Sequence, residues 1–293
     1  MNSINGWLNI YKPKNYSSAK IVSIVKRLLG GTKTGHAGTL DPLAEGVLPI
    51  SIGEATKLTD MLIEARKTYE FKIKFGAQTS SGDLDGEIIA TSSAIVKQED
   101  LENTLSKFKG EIIQIPSSFS AIKINGIRAY KLARNNIKVD MPERKVCIYN
   151  LELVEFNESE QVAKLIAECS KGTYIRSLAE DIGFSLQNLG HVIELRRLSV
   201  GKFDSKKAIY LPDEGSQNNL QKIYNQILPV DFILDDILVI NVIDDVAARI
   251  RNGQKVHLEN CLDGLSAVYS KKNLLAIGYI EDGFFKIKRV FNL

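Results

Sequence analysis

The first acidic residue of the chain is Asp41, inside Gly35-His36-Ala37-Gly38-Thr39-Leu40-Asp41-Pro42, and the stretch ahead of it carries Lys12, Lys14, Lys20, Lys26, Arg27 and Lys33. One carboxylate closing a basic, glycine-punctuated run suits a site where lysines hold phosphates and an acid meets what they present. Asp followed by Pro is also ordinary turn chemistry, so partners must decide its meaning. Arg176 is the first candidate partner. Thr173 reads as an N-cap, and Ile175, Leu178, Ala179, Ile182 and Leu186 form a helical stripe, which puts Arg176 in the first turn. A cation there opposes the helix dipole, and an anion beside it would offset that; the same contact would favour the ionised form of an acid. Tyr69 is the second candidate, an aromatic able to stack on a planar base, and His36 is read as an exposed loop residue able to enter an RNA stack. Each also has a plain reading, as a solvated arginine, a core aromatic or a turn residue.

The elements that must position these groups follow from periodicity. Gly6 to Tyr11 reads as a strand, and Ser17 or Ser18 caps a helix carrying Ile21, Ile24, Val25, Leu28 and Leu29, closed by Gly30-Gly31. Val47 to Ile52 is an apolar run, and Glu54 to Ala65 reads as a helix. Thr68 to Phe75 alternates Tyr69, Phe71, Ile73 and Phe75 with Glu70, Lys72 and Lys74, a half-buried strand. Val146 to Phe156 and Gln161 to Cys169 alternate as an antiparallel pair, and His191 to Gly201 is another strand. Past the polar stretch Asp213 to Asn219, the best boundary, come a helix near Ile243 to Asn252 and three short strands.

Composition narrows the class. Of 293 residues, 44% are hydrophobic and 25% charged, as in a soluble globular protein, with length for a large domain plus a small one. The net charge of +3 is modest but uneven: Ala121 to Lys145 holds seven bases against Asp140 and Glu143, and Arg196 to Lys207 five against Asp204. A basic body favours a phosphate-rich partner. Cys147, Cys169 and Cys261 show no paired spacing, which argues for a reducing compartment, and with only His36, His191 and His257 no zinc site can be assembled. The N-terminus lacks a signal-peptide pattern, and Ile227 to Ile243 is broken by Pro229, Asp231, Asp235 and Asp236, so a cytoplasmic protein without a membrane span is expected.

The run GHAGTLDPLAEGVLPISIGEATKL, residues 35 to 58, strongly resembles the catalytic segment of the bacterial TruB-type tRNA pseudouridine-55 synthases. Four more runs resemble the same family in the same order: Tyr11-Lys12-Pro13 with Ser17-Ser18; Lys67-Thr68-Tyr69-Glu70-Phe71; Ile115-Pro116-Ser117 through Ser120-Ala121 and Lys123; and CSKGTYIRSLAEDIG with HVIELRRLSVGKF, residues 169 to 203. The resemblance implies Asp41 as the catalytic aspartate and Arg176 as its paired arginine. Tyr69 would stack on the target base and act in proton removal from C5, and Leu195 would pack in the pocket. His36 would fill the space left in the T-loop when the nucleotide flips, and Tyr174 would lie near the site. Lys12, with Pro13, would support the catalytic loop and is counted with Lys123 among the RNA-facing and pocket residues.

The implied fold is α+β, a mixed and mainly antiparallel central sheet flanked by helices, with a small C-terminal PUA-like β-rich domain. Residues 1–212 would form the catalytic domain, with a basic thumb-like insertion at about 116–145, a linker at 213–229 and an RNA-binding domain at 230–293. The expected partner is the tRNA T-arm, met by a monomer without metal or organic cofactor. Two other classes stay open at this stage: a non-catalytic RNA-binding protein or tRNA chaperone, and a hydrolase of small glycosides. A glycosidase would usually pair two carboxylates, and only Glu45 lies near Asp41 in sequence.

Overall fold

A computed structural model describes residues 4–120, 122–135, 137, 139–211, 221, 223–258 and 261–293. The elements run β1 (Gly6–Lys12), α1 (Ser18–Leu28), β2 (Thr34–His36), β3 (Glu45–Ile52), α2 (Thr59–Glu64), β4 (Lys67–Phe75), β5 (Ala77–Thr79), β6 (Ile88–Thr91), α3 (Gln98–Ser106) and β7 (Gly110–Gln114). Then come β8 (Lys123–Ile124), β9 (Ile127–Arg128), α4 (Ala129–Arg134), β10 (Arg144–Asn157), β11 (Val162–Cys169), α5 (Ile175–Ser185), β12 (Gly190–Val200), β13 (Phe203–Asp204) and β14 (Ile209–Tyr210). The C-terminal part holds β15 (Leu238–Asn241), α6 (Asp244–Arg251), β16 (Val256–His257), β17 (Gly264–Ser270), β18 (Asn273–Glu281) and β19 (Phe284–Val290).

Among the described residues, ten strands form the main sheet in the order β14-β1-β3-β12-β4-β11-β10-β7, with β13 on β12 and β2 on β3. Within that sheet, among the described residues, only β1 with β14 and β3 with β12 pair in parallel. The sheet is therefore mixed and mainly antiparallel, as expected. Its centre is the alternating strand β4. Tyr69, Phe71, Ile73 and Phe75 are buried beneath α5 and α3 with Leu178, Ile182, Leu101 and Leu195. The opposite face is a charge ladder, Lys72 with Glu194 at 3.1 Å, Lys164 with Glu70 at 3.0 Å and Arg196 with Glu45 at 2.7 Å. The period-2 pattern thus assigns the chemistry to the helix-covered side. At the β3–β12 junction Gly46 is obligatory: its φ is +108°, and an added Cβ would lie 2.2 Å from the Arg197 carbonyl oxygen.

Two local expectations are corrected. The helix expected over residues 54 to 65 begins as a 3-10 turn, Gly53–Leu58, and only then becomes α2. Thr56 and Thr59 donate their hydroxyls to the carbonyls of Gly53 and Thr56 at 2.8 and 3.1 Å, three residues back, which favours the tighter winding. Thr173 does not cap α5 either. Its hydroxyl donates to Ser170 at 3.0 Å, and Tyr174 is the capping residue with no side-chain cap.

The second sheet runs β15-β17-β18-β19-β16 and shares a core with the first. Trp7, Phe203, Val230, Leu234, Ala267, Ile277 and Phe291 pack together, and the Trp7 indole donates to the Val230 carbonyl at 2.9 Å. Of the segment expected as a linker, residues 213–220 and 222 lie outside the described residues. Ile223 is buried against the α1 side of the sheet, and Leu228 exchanges backbone hydrogen bonds with Trp7 at 2.9 and 2.8 Å. Among the described residues, no helix is long and apolar enough to cross a membrane.

Candidate active site

Asp41 sits where two neighbours fix its loop. The Ser18 hydroxyl donates to the Leu40 carbonyl at 3.0 Å and accepts from the Leu40 N–H at 2.9 Å, pinning the residue before the carboxylate to the start of α1. Ser17, not Ser18, caps that helix, accepting from the Lys20 N–H at 3.1 Å. On the other side of the loop the Lys12 ammonium donates to the carbonyls of Pro13, Tyr16 and Pro42 at 3.0, 2.7 and 3.4 Å. Burial pushes Lys12 down to about 8, with Asp41 opposing that shift. Lys12 is wholly buried, so it supports the loop from beneath and presents nothing to RNA, which corrects its grouping with the RNA-facing residues. Ser18→Ala leaves both backbone groups of Leu40 unpaired in a buried place. It is expected to lower stability by about 1–3 kcal/mol, read by chemical denaturation.

Arg176 reaches the loop from the first turn of α5. Its Nη2 lies 2.8 Å from Asp41 Oδ2 and donates to the Phe119 carbonyl at 3.1 Å; its Nη1 donates to the Ser81 carbonyl at 2.9 Å and stands 3.4 Å from Asp83 Oδ2. Arg176 is 5% exposed, whereas Asp41 is 39% exposed and faces the cleft. Sequence reading missed Asp83, a residue of a turn-rich stretch. Its carboxylate accepts from the Ser81 hydroxyl at 2.5 Å and the Asp85 N–H at 3.2 Å, so it is itself fixed before it meets Arg176.

The cleft beside Asp41 has a volume of about 250 Å³, and Tyr69, Tyr174, Leu195, Lys67 and Arg197 join Asp41 and Arg176 in its lining. Burial raises the Tyr69 phenol above its ordinary range, while Arg197 beside it acts in the opposite sense. Tyr174 is likewise raised by burial. The Tyr174 backbone is held by the Gln114 amide, which accepts from its N–H at 3.0 Å and donates to its carbonyl at 3.3 Å. Gln114 is thus a second residue without a sequence signal, since edge-strand glutamines are ordinary. Arg197 donates from Nε to Val47 at 2.8 Å and from Nη2 to Gly38 at 3.0 Å, tying β12 to β3 and to the catalytic loop. Lys67 donates to the carbonyls of Ile63 and Ala65 at 2.7 and 2.6 Å.

Two expected residues stand elsewhere. His36 is the last residue of β2, paired with Ile50, so it is half-buried and not an exposed loop residue. Its Nδ1 is enclosed without a hydrogen-bond partner, and burial, then Arg197 and Arg128, lower its proton affinity. Lys123 lies exposed on the β8–β9 hairpin and does not line the cleft. The hairpin turns at Asn125-Gly126, both with positive φ, the sequence that such a turn demands.

Comparison with known proteins identifies this arrangement. The chain has the pseudouridine synthase fold: it superposes with a TM-score of 0.71 on a chain of an H/ACA RNP bound to a substrate RNA containing 2′-deoxyuridine, at 22% identity over 98% of this chain and 85% of that one. A Cbf5-Nop10-Gar1 complex gives the same score at 23% identity, over 98% and 84% of the two chains. Residues 26–175 match the TruB family pseudouridylate synthase N-terminal domain, and residues 176–235 the tRNA pseudouridylate synthase B C-terminal domain. The tRNA pseudouridine synthase B of Rickettsia akari (strain Hartford) is 50% identical over 99% of both chains. That of Rickettsia africae (strain ESF-5) is 54% identical over 86% of this chain and 72% of its own. The chain belongs to the TruB family of pseudouridylate synthases, and so is an isomerase.

Proposed function

We propose that this chain converts the T-loop uridine at position 55 of tRNA to pseudouridine, acting as a cytoplasmic monomer. The observation that carries the reading is one carboxylate, Asp41, facing a cleft while a buried arginine holds its Oδ2 at 2.8 Å. The family supports a tRNA uridine as substrate. The target nucleotide enters by flipping, with its uracil against Tyr69 and Leu195. Asp41 opens the bond between ribose C1′ and N1 either by attacking C1′ or by taking the 2′ proton, and both routes use its ionised form. The electron pair of the broken bond leaves with the uracil. After the ring turns, C5 bonds to C1′ as Asp41 either leaves that carbon or returns the proton to C2′. The C5 proton is then removed with Tyr69 acting in the transfer, and N1 gains a proton. The product is an isomer, and no second carboxylic acid is needed when bound RNA covers the cleft and keeps water out.

In this reading the basic insertion at 116–145, with Lys123 on its hairpin, lies along the T-arm phosphates as a thumb, and the 230–293 sheet gives a further PUA-like RNA surface. His36 would have to leave its enclosed place to fill the stack vacated by the flipped base. Incubating the protein with an unmodified T-arm stem-loop and mapping pseudouridine tests the proposal. Product at the position-55 uridine alone is expected. Tight binding with no product, or release of free uracil, would favour the chaperone or the hydrolase instead.

A further inference from the structure

The charges around the cleft do not balance. Arg176 is committed to Asp41 and Asp83, and exposed Lys171 pairs with Glu64. Arg197 and Lys67 are left. Arg197 is 1% exposed and Lys67 is 6% exposed, both line the cleft, and among the described residues neither has a carboxylate within ion-pair distance. Their hydrogen bonds go to neutral groups, backbone carbonyls and, for Arg197, also the Tyr69 hydroxyl. Two buried cations side by side without a counter-charge repel each other and lose their hydration, which costs stability. Burial and the nearby Arg197 push the Lys67 ammonium down to about 8, as a cation without its anion should respond.

The geometry also limits what that anion is. Lys67 and Tyr69 are two apart on β4 and so point to one face, and Arg197 stands beside the Tyr69 hydroxyl. Both cations therefore flank the aromatic platform and not the outer phosphate track of the insertion. Resting on the isomerase reading above, we infer that Lys67 and Arg197 hold the negative charge that the uracil ring carries while it is detached from the ribose. The charge appears when the C1′–N1 electron pair departs with the ring, and it is consumed when C5 forms its bond to C1′. Fixed cations aimed at a charge that exists only in mid-reaction favour the transition state over the bound substrate.

The test varies the leaving group. Wild type, Lys67→Gln and Arg197→Gln are compared in single-turnover reactions on T-arm RNAs carrying uridine or 5-fluorouridine, following loss of the starting nucleoside. Fluorine stabilises the ring anion by itself and so reduces the need for the cations. Each variant is expected to lose roughly 10²-fold in rate on uridine and under about 10-fold on 5-fluorouridine, with unchanged RNA affinity and with Lys67→Arg restoring most of the rate. Equal losses on both RNAs, no loss at all, or weakened RNA binding, as phosphate anchors would show, would overturn the inference. If Arg197→Gln does not fold, Lys67→Gln decides alone. A wild type that makes no pseudouridine would instead sink the isomerase reading itself.

Discussion

Asp41→Asn is expected to bind a T-arm RNA as the parent does and to isomerise it roughly 10⁴-fold more slowly, or not measurably. The amide has the shape of the carboxylate, so the Leu40 clip to Ser18 and the Lys12 contacts beneath Pro42 remain in place. It carries no charge to attack C1′ or to take the 2′ proton. The Arg176 side chain keeps Asp83 as a partner, so the variant should stay folded. Filter binding or fluorescence titration reads affinity, and nuclease digestion with chromatography reads product. Normal turnover by Asp41→Asn would show that another group does the chemistry, whatever the fold. Lost affinity would mean that the carboxylate serves chiefly to shape the loop.

What could be read beforehand was what depends on local pattern. β4 followed from strict alternation, and α1 from its apolar spacing and serine cap. Asp41 stood out as the first acid after a basic lead-in, and Arg176 as a cation placed against a helix dipole. Neither observation could say that the two touch, because their contact depends on how β12 and β3 pair in parallel. Asp83, Gln114 and Arg197 were not legible for the same reason. Each is an ordinary residue in its own segment and acquires a role only through a partner distant in sequence, such as Gly38 for Arg197 or Tyr174 for Gln114. Lys12 and His36 erred the other way: their types suggested exposure, but pairing along β1 and β2 drew both inward.

Arg176→Lys should be strongly damaging, though less so than loss of the carboxylate, even though it preserves the charge. The guanidinium spans four acceptors at once, the carboxylates of Asp41 and Asp83 and the carbonyls of Ser81 and Phe119. A lysine ammonium is a single point that cannot reach both carboxylates and both carbonyls in that fork. Whichever carboxylate it chooses, the other loses its hold. If it takes Asp83, which is buried and already fixed by Ser81 and Asp85, Asp41 is free to rotate in the open cleft. A fall of roughly 10²- to 10³-fold in single-turnover rate is expected, with RNA affinity unchanged. Stability should drop by about 1–3 kcal/mol as the buried Ser81 carbonyl and the partly buried Phe119 carbonyl lose their donors. Asp83→Asn is the internal control. It keeps the acceptor toward Arg176 but removes the charge, so it should slow the reaction less than Arg176→Lys. If the lysine variant is fully active, the guanidinium acts only as a counter-charge and the fork has no part in aiming Asp41. If Asp83→Asn is the slower of the two, the buried aspartate, and not the arginine's reach, sets the orientation of the reactive carboxylate.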